Sequence, residues 1–331
     1  MTLRALLLAA AVAASATAAH AETLTVCPAA SQDAACRFTG GAGIQAAVDV
    51  ARDGDTIRLR AGRYTASRYR DVPFQDLHIR GFVVVAGKRL AIEGEDGAIL
   101  DGSQGPPTSA FVLDRAEVSL RNLTIRDFRY QEPEDKIYDG HGVFAINSRV
   151  RLDRIQMERI IKMALTGRGD TLIDASDIRL LDGHMGVWLE ESAHASIRNS
   201  VIKGGDSAAI GAYMNATVHL YNSVIQANGD DGLYAIGQGS IFATNSLILG
   251  NKPFGLNAVE EARIAVFHSV VHGNGANWNP KAAKLAIRVG PGVLLVDPLV
   301  DAEWRPKAGS PIAGLRDPDF GRPIGLMGEA R

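Results

Sequence analysis

Four segments of this chain recur at a fixed interval of 23 residues, and that period restricts the available folds more than any other feature. Ala195–Ile202, Val218–Ile225, Ile241–Ile248 and Ile264–Val271 are short apolar runs built around Asn-Ser or, in the fourth, His-Ser. Weaker copies at Val118–Ile125, Val150–Met157 and Leu172–Ile178 bring the units to seven. A second signal runs in phase, a small residue opening an apolar strand at Gly142, Ala164, Gly186, Ala209, Gly232 and Gly255, at intervals of 22, 22, 23, 23 and 23. Units this short cannot bury an apolar face alone, so stacked neighbours must share one core.

Leucine-rich repeats share the period but demand Leu at most consensus positions. These strands mix Val, Ile, Ala and Leu, with Gly and Asn at the corners, a pattern that predicts short β-strands wound into coils. Equivalent residues of successive coils then lie ~4.8 Å apart. On that spacing Asn199, Asn222 and Asn245 are expected to form an internal hydrogen-bonded ladder.

An open solenoid must protect its ends. Helical spacing of apolar residues over Ile44–Ala51, just before Asp53 to Ile57, predicts a capping helix followed by the first coil strand. Beyond Gly292 the period fades, and the tail 297–331 is expected to close the other end. The expected organisation is a single all-β domain: signal peptide 1–21, cap 22–56, coils 57–296 and tail 297–331.

The leading segment has Arg4, an apolar run from Ala5 to Ala14 and the small-x-small end of Ala19 and Ala21, which reads as an export signal. That run is too short to span a membrane, and nothing later exceeds it. A periplasmic or secreted protein is expected. In such a compartment Cys27 and Cys36, the two cysteines of the chain, are expected to pair. Charge is near balance, 35 Lys+Arg against 37 Asp+Glu, which gives nucleic-acid binding no support.

Taken together, the Ile44–Val48 helix, the stretch from Gly54 to Ile57 and on to Tyr64, the Asn-Ser coils, and the tail motifs at Asp297–Leu299 and Gly309–Pro311 resemble exported right-handed parallel β-helix proteins of the pectin-lyase-like superfamily. The resemblance covers nearly all of the chain after the signal, and it implies a right-handed coil. It specifies chemistry poorly, because that superfamily includes polysaccharide lyases, glycoside hydrolases, C5-epimerases and members without known activity.

Register assigns faces. Val143, Leu165, Val187, Ile210, Leu233 and Leu256 should point inward and their successors Phe144, Thr166, Trp188, Gly211, Tyr234 and Asn257 outward, with Arg168, Glu190 and Tyr213 two residues further on. Outward Phe144, Trp188 and Tyr234 would make an aromatic stripe suited to stacking on sugar rings; a covering loop is the alternative. The spacing from Asn122 to Arg154 is about nine residues too long for one coil, so an insertion within Arg129–Gly140 leaves the solenoid, as a binding-face loop or as a charged surface loop.

Polar groups cluster just before the small-residue column: Asp139, His141, Lys162, His184, Asp206, Asp230 and Asp231. Lyase or epimerase chemistry on a uronic acid needs a base, an acid and a cation that neutralises the substrate carboxylate. Lys162, His184 and His141 are candidates for the first two roles, with Asp206 beside them, and Arg168 for the third. Trp188, Phe144, Tyr213, Tyr234, Asp230 and Asp231 are candidates for substrate binding. Lys162 and His184 each lie two residues before a small residue and should stack, which would favour the neutral lysine that a base requires. The competing reading is solvated corner residues.

Polygalacturonase-like members carry Asn-Thr-Asp, Asp-Asp, Gly-His-Gly and Arg-x-Lys in that order. Here Gly140-His141-Gly142 precedes Asp230-Asp231 and the other two are absent, as is the Asp-Pro-His-Asp motif of mannuronan epimerases. Asp206 with Asp230 or Asp231 would be the carboxylate pair of a hydrolase, a reading discounted on those grounds. Calcium could bridge acidic pairs to a substrate carboxylate, but no dense ligand motif appears and no cofactor is assigned. The expectation is a monomeric protein acting on an acidic polysaccharide by lyase or epimerase chemistry. The alternative is a noncatalytic envelope or structural carbohydrate-binding β-helix.

Overall fold

A computed structural model describes residues 21–31, 33–131 and 136–327. Apart from Ala21, the expected export signal lies outside them. No helix among the described residues is long and apolar enough to cross a membrane.

The regular coils have three strands each. One coil runs His194–Arg198, Val201–Lys203 and Ile210–Ala212, and the next runs Thr217–Tyr221, Val224–Gln226 and Leu233–Ala235. We call these the first, second and third faces. Pairing between coils is parallel throughout, and the 23-residue period emerges as register: Ala195, Val218, Ile241 and Ile264 are consecutive partners. In the weaker coil the register sets Ile173, rather than Leu172, opposite Ala195, leaving Leu172 43% exposed. On the third face Val143, Leu165, Val187, Ile210, Leu233 and Leu256 form one fully buried column, as the alternation requires.

The asparagine ladder stands at a different corner from the one expected. Asn199, Asn222 and Asn245 turn the chain between the first and second faces with φ of 50°, 46° and 55°, a left-handed conformation that Asn tolerates. That turn sends the following serine inward. Ser200, Ser223, Ser246 and Ser269 are buried and form the ladder here, the Oγ of each of the last three accepting the N–H of the serine one coil earlier at 3.1, 3.2 and 2.9 Å. The internal amide ladder is Asn228, Asn251 and Asn274, between the second and third faces, with Nδ2–Oδ1 distances of 2.8 and 3.0 Å.

At the N-terminal end a helix, Gly40–Val50, lays Ile44, Ala47 and Val48 into the core. It starts before the expected Ile44, and strand Thr23–Cys27 precedes it, pairing Thr23 with Thr56. The solenoid sheet therefore begins inside the segment expected to be cap alone. Cys27 and Cys36 form the expected disulfide, with Cα atoms 5.6 Å apart.

The described part of the tail, 297–327, does not close the far end. It runs as a lateral strap, because the outward column of the second face changes from Thr124, Gln156 and Arg179 to Val201, Val224, Leu247 and Val270. This apolar stripe is covered by Trp304, Ile312 and Ile324. The corner asparagines hold the strap: Asn222 Nδ2 donates to the Pro323 and Gly325 carbonyls at 2.7 and 3.0 Å, Asn245 Nδ2 to Asp317 at 2.9 Å, and Met327 N–H to Asn199 Oδ1 at 2.7 Å. At the far end Ala282, Ala286, Ile287 and Val293 pack on the core instead.

Candidate functional site

The outward column of the third face is Phe144, Thr166, Trp188, Gly211, Tyr234 and Asn257, in the register expected from alternation. Its two halves have different fates. A hairpin that the repeat does not announce, Arg70–Phe74 against Leu77–Gly81, folds over the early coils, and the inserted loop joins it through the His78–Tyr138 and His78–Lys136 backbone bonds. Phe144 is consequently buried with Phe74, Ile79 and Val112, and is no sugar platform. Beneath the same cover Asp139 is held by the Arg80 guanidinium and backbone N–H, which satisfies the carboxylate inside the fold.

His141 is lost to the site for the same reason. It is fully buried, its Nδ1 3.0 Å from Thr166 Oγ1 and its ring packed on Tyr138 and Phe144. Burial, aided by the Lys162 and Arg168 charges, pushes its pKa well below the ordinary value, so it is neutral. Lys162 places Nζ 4.1 Å from the Tyr138 ring centroid and 5.4 Å from that of Tyr130. Its backbone neighbours that of His184, but the side chains part, since His184 Nδ1 turns to Asp206 of the next coil. The expected Lys162–His184 stack is thus replaced by an exposed His184–Asp206 pair and an ammonium on tyrosine faces.

Arg168 is also occupied. Its Nη2 lies 3.0 Å from Glu190 and 3.1 Å from Glu191, and its guanidinium sits over Phe74. Two carboxylates already neutralise it, so the expected cation for a substrate carboxylate is absent at this position.

The later half of the column is open. Trp188 and Tyr234 are stacked with centroids 6.4 Å apart and planes 28° apart, and Tyr213 lies 6.3 Å from Trp188. Gly211, between Trp188 and Tyr234 in register, leaves room for the indole, whose Nε1 donates to Glu190. Asp231 borders this group. It is buried, accepting Asn257 Nδ2 at 2.6 Å and Phe254 N–H at 3.2 Å. Burial pushes its carboxyl up to about 6, opposed by the Asn257 amide and reinforced by the charge of Asp230. Burial also raises Tyr234, with the charges of Asp231 and Asp230 adding to the effect. The open face thus combines flat aromatic surface, hydrogen-bond acceptors and one carboxyl that exchanges its proton near neutrality.

Reading the third face alone missed other features. Glu190 and Asn257 were assigned outward, yet not their roles in tethering Trp188 and Asp231. The stacked His219, Phe242 and Tyr221 on the first face were missed as well, although His219 and Phe242 occupy the same position in coils 23 residues apart. Among the described residues, the one group of metal-ligating types close enough to share an ion is Cys27, Asp33 and Cys36, whose sulfurs are joined to each other. Asp206, Asp230 and Asp231 do not converge in that way, which leaves calcium without a dense ligand set there.

Three faces of parallel strands, coil-spanning ladders and a helical cap define a right-handed parallel β-helix. Residues 109–293 match the family model described as the right handed beta helix region, and the chain belongs to that family. No curated protein matches the sequence. Among solved structures it is similar to the pectate lyase Pel9A, at 11% identity and a TM-score of 0.58, over 92% of this chain and 95% of that one. An alginate lyase from Paenibacillus sp. str. FPU-7 aligns at 13% identity and a TM-score of 0.47, over 82% and 99%. At these identities the likeness is one of architecture.

Proposed function

We propose that this chain is an exported polysaccharide-binding β-helix that holds a glycan on the open part of its third face. The observation that carries the reading is the Trp188–Tyr213–Tyr234 group, three half-buried aromatic rings held on rigid strands beside Asp231 and Asn257. Such rings stack on the C–H faces of sugars, while the polar neighbours exchange hydrogen bonds with hydroxyls. A pectate lyase with the same architecture is consistent with a glycan running along coils of this kind.

Turnover is a second reading, favoured by Asp231, whose carboxyl is pushed up to about 6, and by the His184–Asp206 pair nearby in the coil order. A base and an acid are then at hand for lyase or epimerase chemistry, with Asp231 in place of the expected Lys162. The engagement of Arg168 by Glu190 and Glu191 weighs against an acidic sugar at this spot and sets binding ahead of catalysis.

Calorimetric titration of the mature protein with neutral and uronate oligosaccharides tests the proposal. Binding that falls at least roughly tenfold in Trp188→Ala supports it. Absence of binding to every glycan, or an affinity in the variant that is unchanged for every glycan, overturns it. New absorbance from an unsaturated uronate would establish lyase turnover.

A further inference from the structure

Where the C-terminal strap crosses the corner of the first face it leaves a cleft of about 600 Å3. Arg198, Tyr221 and Phe267 belong to one outward column and form its floor, with Arg288 of the last coil beside them. The strap supplies the wall, with Asp317, Asp319, Phe320 and Arg322 lining the cleft, the Asp317 carboxylate being turned to the strap's own N–H groups and to Asn245. Phe320 is 77% exposed, a large apolar ring left facing water.

That ring is presented by a well-fastened turn. Asp317 is buried and accepts the N–H groups of Phe320, Asp319 and Arg322 at 2.6, 3.1 and 2.9 Å, and Asn245 Nδ2 at 2.9 Å. The cations are also distinctive. Among the described residues Arg198 pairs with Asp174, whereas neither Arg288 nor Arg322 makes an ion pair with a carboxylate. Their guanidinium groups lie 5.4 Å from the Phe267 centroid and 5.5 Å from the Phe320 centroid. The floor continues onto the stacked rings of Tyr221, His219 and Phe242, with the His219–Phe242 centroids 5.0 Å apart.

We propose that this cleft is a second carbohydrate site, selective for an acidic glycan that bears carboxylate or sulfate groups. Arg288 and Arg322 each present a fork of N–H donors matched to two oxygens of a carboxylate or sulfate, and the neighbouring rings offer flat faces to the sugar between successive charges. A small inorganic anion would engage the guanidinium groups and leave the rings uncovered. This rests on the reading that the protein handles a polysaccharide, and it assigns the acidic residues of that chain to a face other than that of Trp188.

The test is calorimetric titration of the mature protein with a galacturonate hexamer, maltohexaose and inorganic sulfate, repeated on Arg288→Gln/Arg322→Gln, Phe320→Ala and Trp188→Ala. The galacturonate hexamer should bind more tightly than sulfate or maltohexaose, and its binding should weaken with added salt. The double arginine variant should lose roughly ten- to a hundredfold in affinity for it, Phe320→Ala less, and Trp188→Ala little. All three substituted cleft side chains lie at the surface, and an unchanged melting temperature will confirm that the fold persists. The cleft proposal is overturned if the wild type ignores the uronate hexamer, if sulfate binds equally well, or if the arginine variant keeps full affinity. Loss in Trp188→Ala alone would sink this site while sparing the first, and loss in the arginine variant alone, for every glycan, would do the reverse.

Discussion

The Trp188 indole lies directly across Gly211 of the next coil, so that a Cβ placed on Gly211 would come within 2.2 Å of the indole Cε3. The aromatic surface of the third face therefore depends on a missing side chain as much as on the rings present. Gly211→Ala should tilt Trp188 out of its stack with Tyr234 and lower glycan affinity several-fold, while the buried neighbours Ile210 and Ala212 preserve the coil. Near-ultraviolet circular dichroism would show the altered indole environment. An unchanged spectrum with unchanged binding would refute the dependence.

Asp231 gives the fold a pH dependence opposite to that of an ion-paired carboxylate. Its folded-state value of about 6 lies above the ordinary 3.8, so between those values the native chain keeps a proton that the unfolded chain has released. Its contribution to stability is complete below about pH 4 and is lost as pH rises through about 6, on the order of 2–3 kcal/mol for this shift. Melting temperatures across this range, compared with those of Asp231→Asn, measure the effect. Parallel curves for the two proteins would rule it out.

The two sets of asparagines should answer differently to truncation. Asn251 bonds within the amide ladder to Asn228, Asn274 and the Ile225 carbonyl, so Asn251→Ala strands buried groups and should cost on the order of 3 kcal/mol in urea unfolding. Asn222 gives both amide protons to the strap, so Asn222→Ala should cost about 1–2 kcal/mol and expose the strap to trypsin at Arg316. Equal losses, or a strap no more sensitive to protease, would contradict this division.

The Cys27–Cys36 bridge closes a short loop, with a sequence separation of 9, between the first strand and the capping helix. Chain-entropy arguments put its contribution at ~2–3 kcal/mol. Reduction should lower the melting temperature and first expose the segment around Thr23–Cys27 to hydrogen exchange. Mass spectrometry of the unreduced protein should find both cysteines in one linked peptide; free thiols would exclude the bridge.

Much of this molecule was legible because a solenoid writes its contacts locally. A residue meets its counterpart one period away, so the 23-residue spacing of Ala195, Val218, Ile241 and Ile264 encodes their register, and alternation assigns Val187 inward and Trp188 outward. Ladder placement was less legible, since Asn and Ser adjoin at each corner and the backbone conformation decides which one enters the core. What the period cannot encode is which outward surface a distant segment will cover. The hairpin at Arg70–Gly81 buries Phe144, its Arg80 claims Asp139, and the strap selects the stripe from Val201 to Val270. Those choices depend on apolar surface and charge brought together from far apart in the chain. Sequence by itself therefore determined the coil and its inward and outward columns, while the tertiary structure decided which outward residues remain free to meet a ligand.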